Sequence, residues 1–288
     1  MTYNELWHRL VPLYDTHEAQ AITRLVLENR WHMTLTDIVC GKVDTLTPEE
    51  QAENDRIFMR LAQAEPVQYV LGEETFEGRT FRVVPGTLIP RPETAELCQW
   101  IEECTERTKM PSERKETGKT RILDIGTGTG CIAVTLALDI KGTEVEAWDI
   151  SATAIATARE NAERLGANVT VKKQDALKAP EHHHEWDIIV SNPPYICRKE
   201  MADMDRNVLE YEPSTALFVP DDNPLLFYAA IARYAAYALK PGGMLFFEIN
   251  PIYEQETIEM LHATGFEHTE SRNDMFGKTR FTKATLRP

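Results

Sequence analysis

The sequence predicts an α/β protein: a doubly wound, mostly parallel sheet closed by an antiparallel pair of strands and preceded by a small helical domain. Three observations carry that reading. From Arg121 onward short apolar runs alternate with amphipathic helical stretches, the pattern of βαβ units. A glycine-rich turn, Gly126-Thr127-Gly128-Thr129-Gly130, joins the first of those runs to the first of those helices, and open α/β sheets bind ligands outside the carboxyl ends of their strands. The first 70 residues, by contrast, carry helical periodicity alone.

Taken in order, Tyr3 to Leu13 places Leu6, Trp7, Leu10 and Leu13 on one helical face, and His17 to Arg30 does so with Ala21, Ile22, Leu25 and Val26. Thr47-Pro48-Glu49-Glu50 reads as a capping box with proline at the first helical position, followed by a buried stripe of Ile57, Phe58 and Leu61. Pro66 ends that helix. Residues 1–70 are therefore expected to form a helical domain suited to recognition. Residues 71–92 are expected as a hairpin linker, with the hairpin from Phe76 to Val84, and 93–288 as the sheet domain. Within the last, a helix is expected from Glu93 to Glu106 and a polar surface loop from Arg107 to Thr120. Strands are then expected at Arg121–Ile125, Val145–Ile150, Val169–Lys173, Asp187–Val190 and Met244–Ile249, with a closing pair at Glu267–Glu270 and Arg280–Ala284. Helices fall between them at Cys131–Leu138, Ala152–Leu165, Leu225–Leu239 and Glu254–Thr264.

Composition narrows the classes. A chain of 288 residues with 42% hydrophobic and 8% aromatic residues can bury a substantial core, so wholesale disorder is excluded. Thirty-one basic against 46 acidic residues give a net charge of −15, which opposes general binding to nucleic-acid phosphates. No apolar run is long enough for a membrane span, and Met1-Thr2-Tyr3-Asn4-Glu5 lacks the features of a secretory signal. The 5 cysteines are scattered without a C-x-x-C pair, as expected of reduced thiols in the cytoplasm.

The glycine turn allows close approach of backbone to a ligand, and the helix behind it offers unpaired N–H groups. It does not fit a dinucleotide fingerprint, whose third glycine would fall at Cys131. Asp149 closes the second strand about 20 residues past the loop, where a carboxylate can accept the hydroxyls of an adenosine ribose; a helix cap is the plainer alternative. Asp175, with Ala176 behind it, closes the third strand and could receive an exocyclic adenine amine, or simply sit in a solvated turn.

Asn192-Pro193-Pro194-Tyr195 follows the fourth strand. The prolines remove two N–H donors and free nearby carbonyls as acceptors, and Asn192 adds a side-chain carbonyl. Two acceptors can thus take both protons of a planar –NH₂ group, with the ring of Tyr195 beside its plane. An amide nitrogen is a weak nucleophile because its lone pair is delocalised. Capture of both protons favours the pyramidal, electron-rich form, and alignment with an electrophilic sulfonium methyl would supply much of the remaining catalysis.

On these motifs the chain resembles the class I S-adenosylmethionine-dependent methyltransferases. Pro66-Val67-Gln68-Tyr69-Val70-Leu71-Gly72, Leu88-Ile89-Pro90-Arg91-Pro92-Glu93-Thr94, Asn192 to Ile196 and Tyr211-Glu212-Pro213 resemble the PrmC (HemK) family over almost the whole length. The resemblance implies a Rossmann-like fold and methylation of the amide nitrogen (N5) of the glutamine in the Gly-Gly-Gln motif of peptide-chain release factors. It implies that Gly126, Thr127, Gly128, Thr129 and Gly130 hold the methionine part of S-adenosyl-L-methionine and Asp149 its ribose, with Asp175 and Ala176 bordering the adenine and Asn192 also in contact with the cofactor. It further implies that Asn192 and the Pro193 carbonyl bind the substrate amide, flanked by Pro194 and Tyr195, and that Arg91, Glu93 and Thr94 lie near the pocket mouth. An N6-adenine methyltransferase could use the same tetrapeptide, but would need a basic surface to hold its nucleic acid. Two departures stand out: Glu248-Ile249-Asn250 where relatives commonly have Glu-Ile-Gly, and Ala176 where some carry an aromatic residue.

Other signals carry less. Consecutive His182, His183 and His184 cannot converge on one metal from a regular strand and read as a solvated loop. Cys197 has no evident base to make it a nucleophile. Trp7 and Trp31 read as core.

Overall fold

The computed structural model describes residues 1–108 and 119–287, so most of the loop expected at Arg107 to Thr120 lies outside the described residues. In chain order the helices are α1 (Tyr3–His8), α2 (Thr16–Trp31), α3 (Leu35–Val39), α4 (Pro48–Leu61), α5 (Val67–Leu71), α6 (Pro92–Thr108), α7 (Cys131–Asp139), α8 (Ala152–Leu165), α9 (Arg206–Tyr211), α10 (Ser214–Leu217), α11 (Leu226–Ala238) and α12 (Glu254–Ala263). The strands are β1 (Glu73–Phe76), β2 (Arg79–Arg82), β3 (Thr120–Ile125), β4 (Thr143–Asp149), β5 (Val169–Lys173), β6 (Trp186–Ser191), β7 (Ile196–Cys197), β8 (Phe218–Val219), β9 (Leu239–Glu248), β10 (Phe266–Asn273) and β11 (Thr279–Leu286). Among the described residues no helix is long and apolar enough to cross a membrane. The chain divides into two units, Met1–Glu73 with Asp205–Tyr211, and Glu74–Met204 with Glu212–Pro288.

The first unit is helical. Thr47 and Glu50 close the expected capping box on α4, each bonding the other's backbone N–H, with Pro48 at the first helical position. Ile57, Phe58 and Leu61 are buried as expected, against Leu6, Leu10, Val26 and Leu27. The buried face of α2 differs from the apolar pattern. It runs through Ala19, Thr23, Val26 and Leu27, while Leu25 is exposed. The reason is Thr23, whose hydroxyl donates to the Ala19 carbonyl at 2.8 Å; satisfied within the helix, it enters the core, and a count of apolar residues misses it. Helix α1 ends at His8, well before Leu13, and α9 joins this unit through the Tyr211 hydroxyl, which donates to the Gln63 carbonyl at 2.8 Å.

The second unit holds a seven-stranded sheet in the order β10-β11-β9-β6-β3-β4-β5. Strands β9, β6, β3, β4 and β5 run parallel, and β11 is antiparallel to both β9 and β10. Side chains alternate across it: Ile122, Ile188, Val190 and Phe246 pack toward α6, α7 and α8, whereas Leu123, Ile125, Ile189, Leu245 and Phe247 pack toward α11 and α12. The mostly parallel sheet with an antiparallel end is the architecture expected.

The hairpin spans Glu73 to Arg82, earlier than Phe76 to Val84. Its turn is Glu77-Gly78, both left-handed (φ 47° and 68°), a two-residue connection that suits strand twist. It packs with the sheet unit through the Arg79–Asp139 and Arg82–Glu160 ion pairs and an Arg82 N–H bond to Asn161. The segment after the tetrapeptide folds into β7, α9, α10 and β8, with β7 and β8 paired in parallel. These elements are too short to leave a periodic signal in the sequence.

Candidate active site

Sheet register sets the site. Ser191 pairs with Ile125, Ile125 with Trp148, and Asp149 with Lys173. Asp149, the last residue of β4, and Asn192, Gly126 and Asp175, which follow the ends of β6, β3 and β5, therefore stand in one row along the carboxyl edge. With strands ~4.8 Å apart, the row spans about 14 Å.

At its centre the glycine loop is tied to β4: the N–H groups of Gly126 and Thr127 donate to the Trp148 carbonyl at 2.8 and 2.9 Å, and that of Gly128 to Asp149 Oδ2 at 2.9 Å. Gly130 has φ 83°, and a β-carbon there would meet that of Ala158 at 3.1 Å. Glycine is required on both counts. Beneath the loop the Thr127 hydroxyl donates to Asp124 Oδ2 at 2.6 Å. Asp124 is fully buried, and burial pushes its carboxyl up to about 7 against the pull of that bond. Its Oδ1 has no hydrogen-bond partner among the described residues. Asp124 was not among the residues expected to function, although it is the one charged residue in the apolar core of its strand.

Asp149 is not the helix cap. Ser151 fills that role, accepting from the Ala154 N–H, and Asp149 Oδ1 accepts from the Ser151 N–H at 2.8 Å. Asp149 thus joins the glycine loop to the start of α8. Asp175 caps a short 3-10 turn, its Oδ1 accepting from the Leu177 N–H at 2.9 Å. Ala176 packs against the α11 side of the core.

On the other flank Ser191 donates to the Ile125 carbonyl at 2.6 Å, and a β-carbon on Gly126 would stand 4.0 Å from the Asn192 backbone oxygen. Asn192 Nδ2 donates to Thr94 Oγ1 at 3.3 Å. The Thr94 hydroxyl donates to Glu248 Oε2 at 2.7 Å, and the Tyr195 hydroxyl to Glu248 Oε1 at 3.0 Å. Glu248 is 2% exposed. Its carboxyl lies above the usual range because burial outweighs the two hydroxyl bonds and Arg280; Glu93 adds to the rise. Burial likewise pushes the Tyr195 phenol up, with Glu248 contributing.

Asn250, the departure from Glu-Ile-Gly, has a place here: its Nδ2 donates to the Tyr195 carbonyl at 3.2 Å and to the Glu200 carboxylate, fixing the end of the tetrapeptide. Glu248 ends an apolar strand and Asn250 follows it; that polarity, with the departure from Glu-Ile-Gly at Asn250, is the signal the sequence offers for them.

Of the three residues expected at the mouth, Thr94 enters this network and Glu93 acts on Glu248 through its charge. Arg91 pairs instead with buried Glu212, which also accepts from the Ile89 N–H at 3.2 Å. The Leu88–Thr94 and Tyr211–Pro213 motifs thus meet at a single carboxylate. The histidine run is not simply solvated: His182 Nδ1 bonds the Tyr234 hydroxyl at 2.8 Å, and His184 Nδ1 approaches the Leu239 carbonyl at 3.0 Å. Cys197 is buried, its sulfur 3.3 Å from the Tyr253 hydroxyl.

Two family models match the chain: the PrmC N-terminal domain at residues 9–72 and the methyltransferase small domain at residues 109–210. The release factor glutamine methyltransferase of Bacteroides thetaiotaomicron is 43% identical over 276 residues, covering 96% of this chain and 95% of its own. That of Flavobacterium psychrophilum is 38% identical over 278 residues, with 96% and 95% covered. Among solved structures, a methyltransferase from Pyrococcus furiosus matches 84% of this chain and 100% of its own at 18% identity and a TM-score of 0.49.

Proposed function

The chain belongs to the release factor glutamine methyltransferase family, and from that membership we propose that it methylates the side-chain amide nitrogen of the Gly-Gly-Gln glutamine in peptide-chain release factors, using S-adenosyl-L-methionine. One observation carries the reading: the glycine loop and Asn192 end adjacent strands, with Gly126 against the Asn192 backbone oxygen.

The residues present fit the cofactor. Gly126 to Gly130 would hold its methionine part, because a loop without β-carbons admits close approach. Asp149, already at hydrogen-bond distance from the Gly128 N–H, would accept the ribose hydroxyls. Asp175 and Ala176 would border the adenine, at the far end of the row. When bound, the cofactor supplies an electrophilic methyl on a sulfonium sulfur.

The chain's own task is to present the nucleophile. Asn192 Oδ1 and the Pro193 carbonyl would each accept one amide proton, leaving the nitrogen lone pair available along the third direction. Tyr195, anchored on Glu248 and Asn250, would hold its ring beside the amide plane, with Pro194 closing that side. The N–CH₃ bond would form as the S–CH₃ bond breaks, leaving a neutral thioether, and one proton would then pass from the alkylated nitrogen by way of its acceptors to solvent, so no strong base is needed before the methyl moves. The helical unit would grip the body of the release factor, a role compatible with the chain's acidic balance because its partner is protein.

Incubation with labelled cofactor and a release factor, followed by mass-spectrometric mapping, should place one methyl on the Gly-Gly-Gln glutamine. Transfer to adenine in DNA, with none to the factor, would overturn the reading in favour of a nucleic-acid enzyme.

A further inference from the structure

An asparagine side chain has nearly the same shape with its oxygen and nitrogen exchanged, so packing alone does not decide which one faces a substrate. Hydrogen-bond direction decides it. Asn192 leans on the Thr94 hydroxyl, which can either donate or accept. That freedom is removed one step further back. Each oxygen of Glu248 faces one hydroxyl, taking the Thr94 proton at 2.7 Å on one and the Tyr195 proton at 3.0 Å on the other. Thr94 is left with lone pairs alone to offer Asn192. The amide must therefore turn its N–H toward Thr94 and its carbonyl away from it.

The three side chains come from the first turn of α6, the end of β6 and the end of β9. Glu248 lies on the α6 face of the sheet, two residues beyond Phe246, which packs on that side. There the N-terminal end of the helix favours a negative charge.

We propose that Glu248 is a positioning residue of the methyl transfer: acting through Thr94 and Tyr195, it orients Asn192 so that the carbonyl oxygen, and not the amide nitrogen, meets the incoming glutamine amide. The inference rests on Asn192 being the substrate's acceptor, as proposed above. An amide at position 248 offers one acceptor and one donor to two hydroxyls that both need an acceptor. One hydroxyl must then reverse. If Thr94 reverses, it donates to Asn192, whose NH₂ turns outward to face the NH₂ of the substrate, donor against donor.

The test compares Glu248→Gln, Thr94→Val, Thr94→Ser, the double variant Glu248→Gln/Thr94→Val and Asn192→Ala, each as the full chain. The measurements are kcat and KM for a release factor, cofactor affinity by calorimetry, and the thermal midpoint. Thr94→Val should lower kcat about tenfold or more with cofactor affinity within about twofold, whereas Thr94→Ser, which keeps the hydroxyl, should recover most of the loss. Glu248→Gln should behave like Thr94→Val, and the double variant should be no slower than the worse single one, because the residues act in series. Full activity in Thr94→Val, equal losses in Thr94→Val and Thr94→Ser, or losses that multiply in the double variant would each overturn the inference. Should Glu248→Gln unfold, the Thr94 pair decides alone. Asn192→Ala separates the two levels: if it is inactive while Thr94→Val and Glu248→Gln are fully active, only the positioning role fails. If Asn192→Ala is itself active, the acceptor reading fails with it.

Discussion

The two flanks of the strand-end row are built from different materials. On the β4–β5 side, half-buried carboxylates of Asp149 and Asp175 take backbone N–H groups from residues close by in the fold, Gly128, Ser151 and Leu177. On the β6–β9 side, side chains hold side chains: Asn192 on Thr94, Thr94 and Tyr195 on Glu248, with Glu248, Thr94 and Asn250 all buried. The first arrangement is accessible and local, as suits a ligand that arrives and leaves at each turnover. The second is closed and assembled from distant parts of the chain, as suits a geometry that must not change between turnovers.

That contrast can be broken most sharply at Asn192. On the flank proposed for the substrate, Asn192→Ala should lower kcat by about a hundredfold or more while cofactor affinity stays within about threefold, since on the proposed reading it removes one acceptor used in the transition state. A matched fall in cofactor affinity, measured by calorimetry, would mean that the two flanks are not functionally separate. On the opposite flank, Asp149→Ala should weaken cofactor binding roughly tenfold or more and leave kcat at saturating cofactor much less affected, the reverse pattern. Loss of kcat alone would exchange the assignments.

A third measurement, on stability and not on turnover, sharpens the comparison between a buried carboxylate and the half-buried ones. Asp124 titrates at about 7 in the folded protein, above its ordinary 3.8. The folded state therefore holds that proton more tightly than the unfolded chain. The stabilisation is complete below pH 3.8 and is lost as pH rises through about 7. Between pH 5 and 8 the wild type should lose about 3 kcal/mol relative to Asp124→Asn, which cannot titrate. Parallel thermal unfolding curves across that range would remove Asp124 as the responsible group.

What the sequence disclosed follows the same divide. The glycine loop, Asp149 and the Asn-Pro-Pro-Tyr segment are contiguous motifs at strand ends, and the alternation of strands with helices fixed their order, so the row could be read without coordinates. Thr94, Glu248 and Asn250 could not, because their roles exist only once α6, β6 and β9 are side by side. The departure at Asn250 was visible as an anomaly, but its bond to the Tyr195 carbonyl was not. Asp124 was hidden by its own neighbours, a charge among apolar residues whose burial depends on both faces of the sheet being covered. In the helical unit the same blindness showed at Thr23, a polar residue made acceptable to the core by a bond within its own helix.

One piece of connectivity reaches further. Because α9 lies with the helices while the chain on either side of it belongs to the sheet, the helical unit is not a terminal cassette. Cutting the protein after residue 73 would strip α9 of its companions, including the Gln63 carbonyl that Tyr211 holds, and leave an orphaned loop about ten residues downstream of Tyr195. Exchange of the helical module between relatives would therefore have to be a two-site graft, carrying residues 205–211 along with the amino-terminal segment.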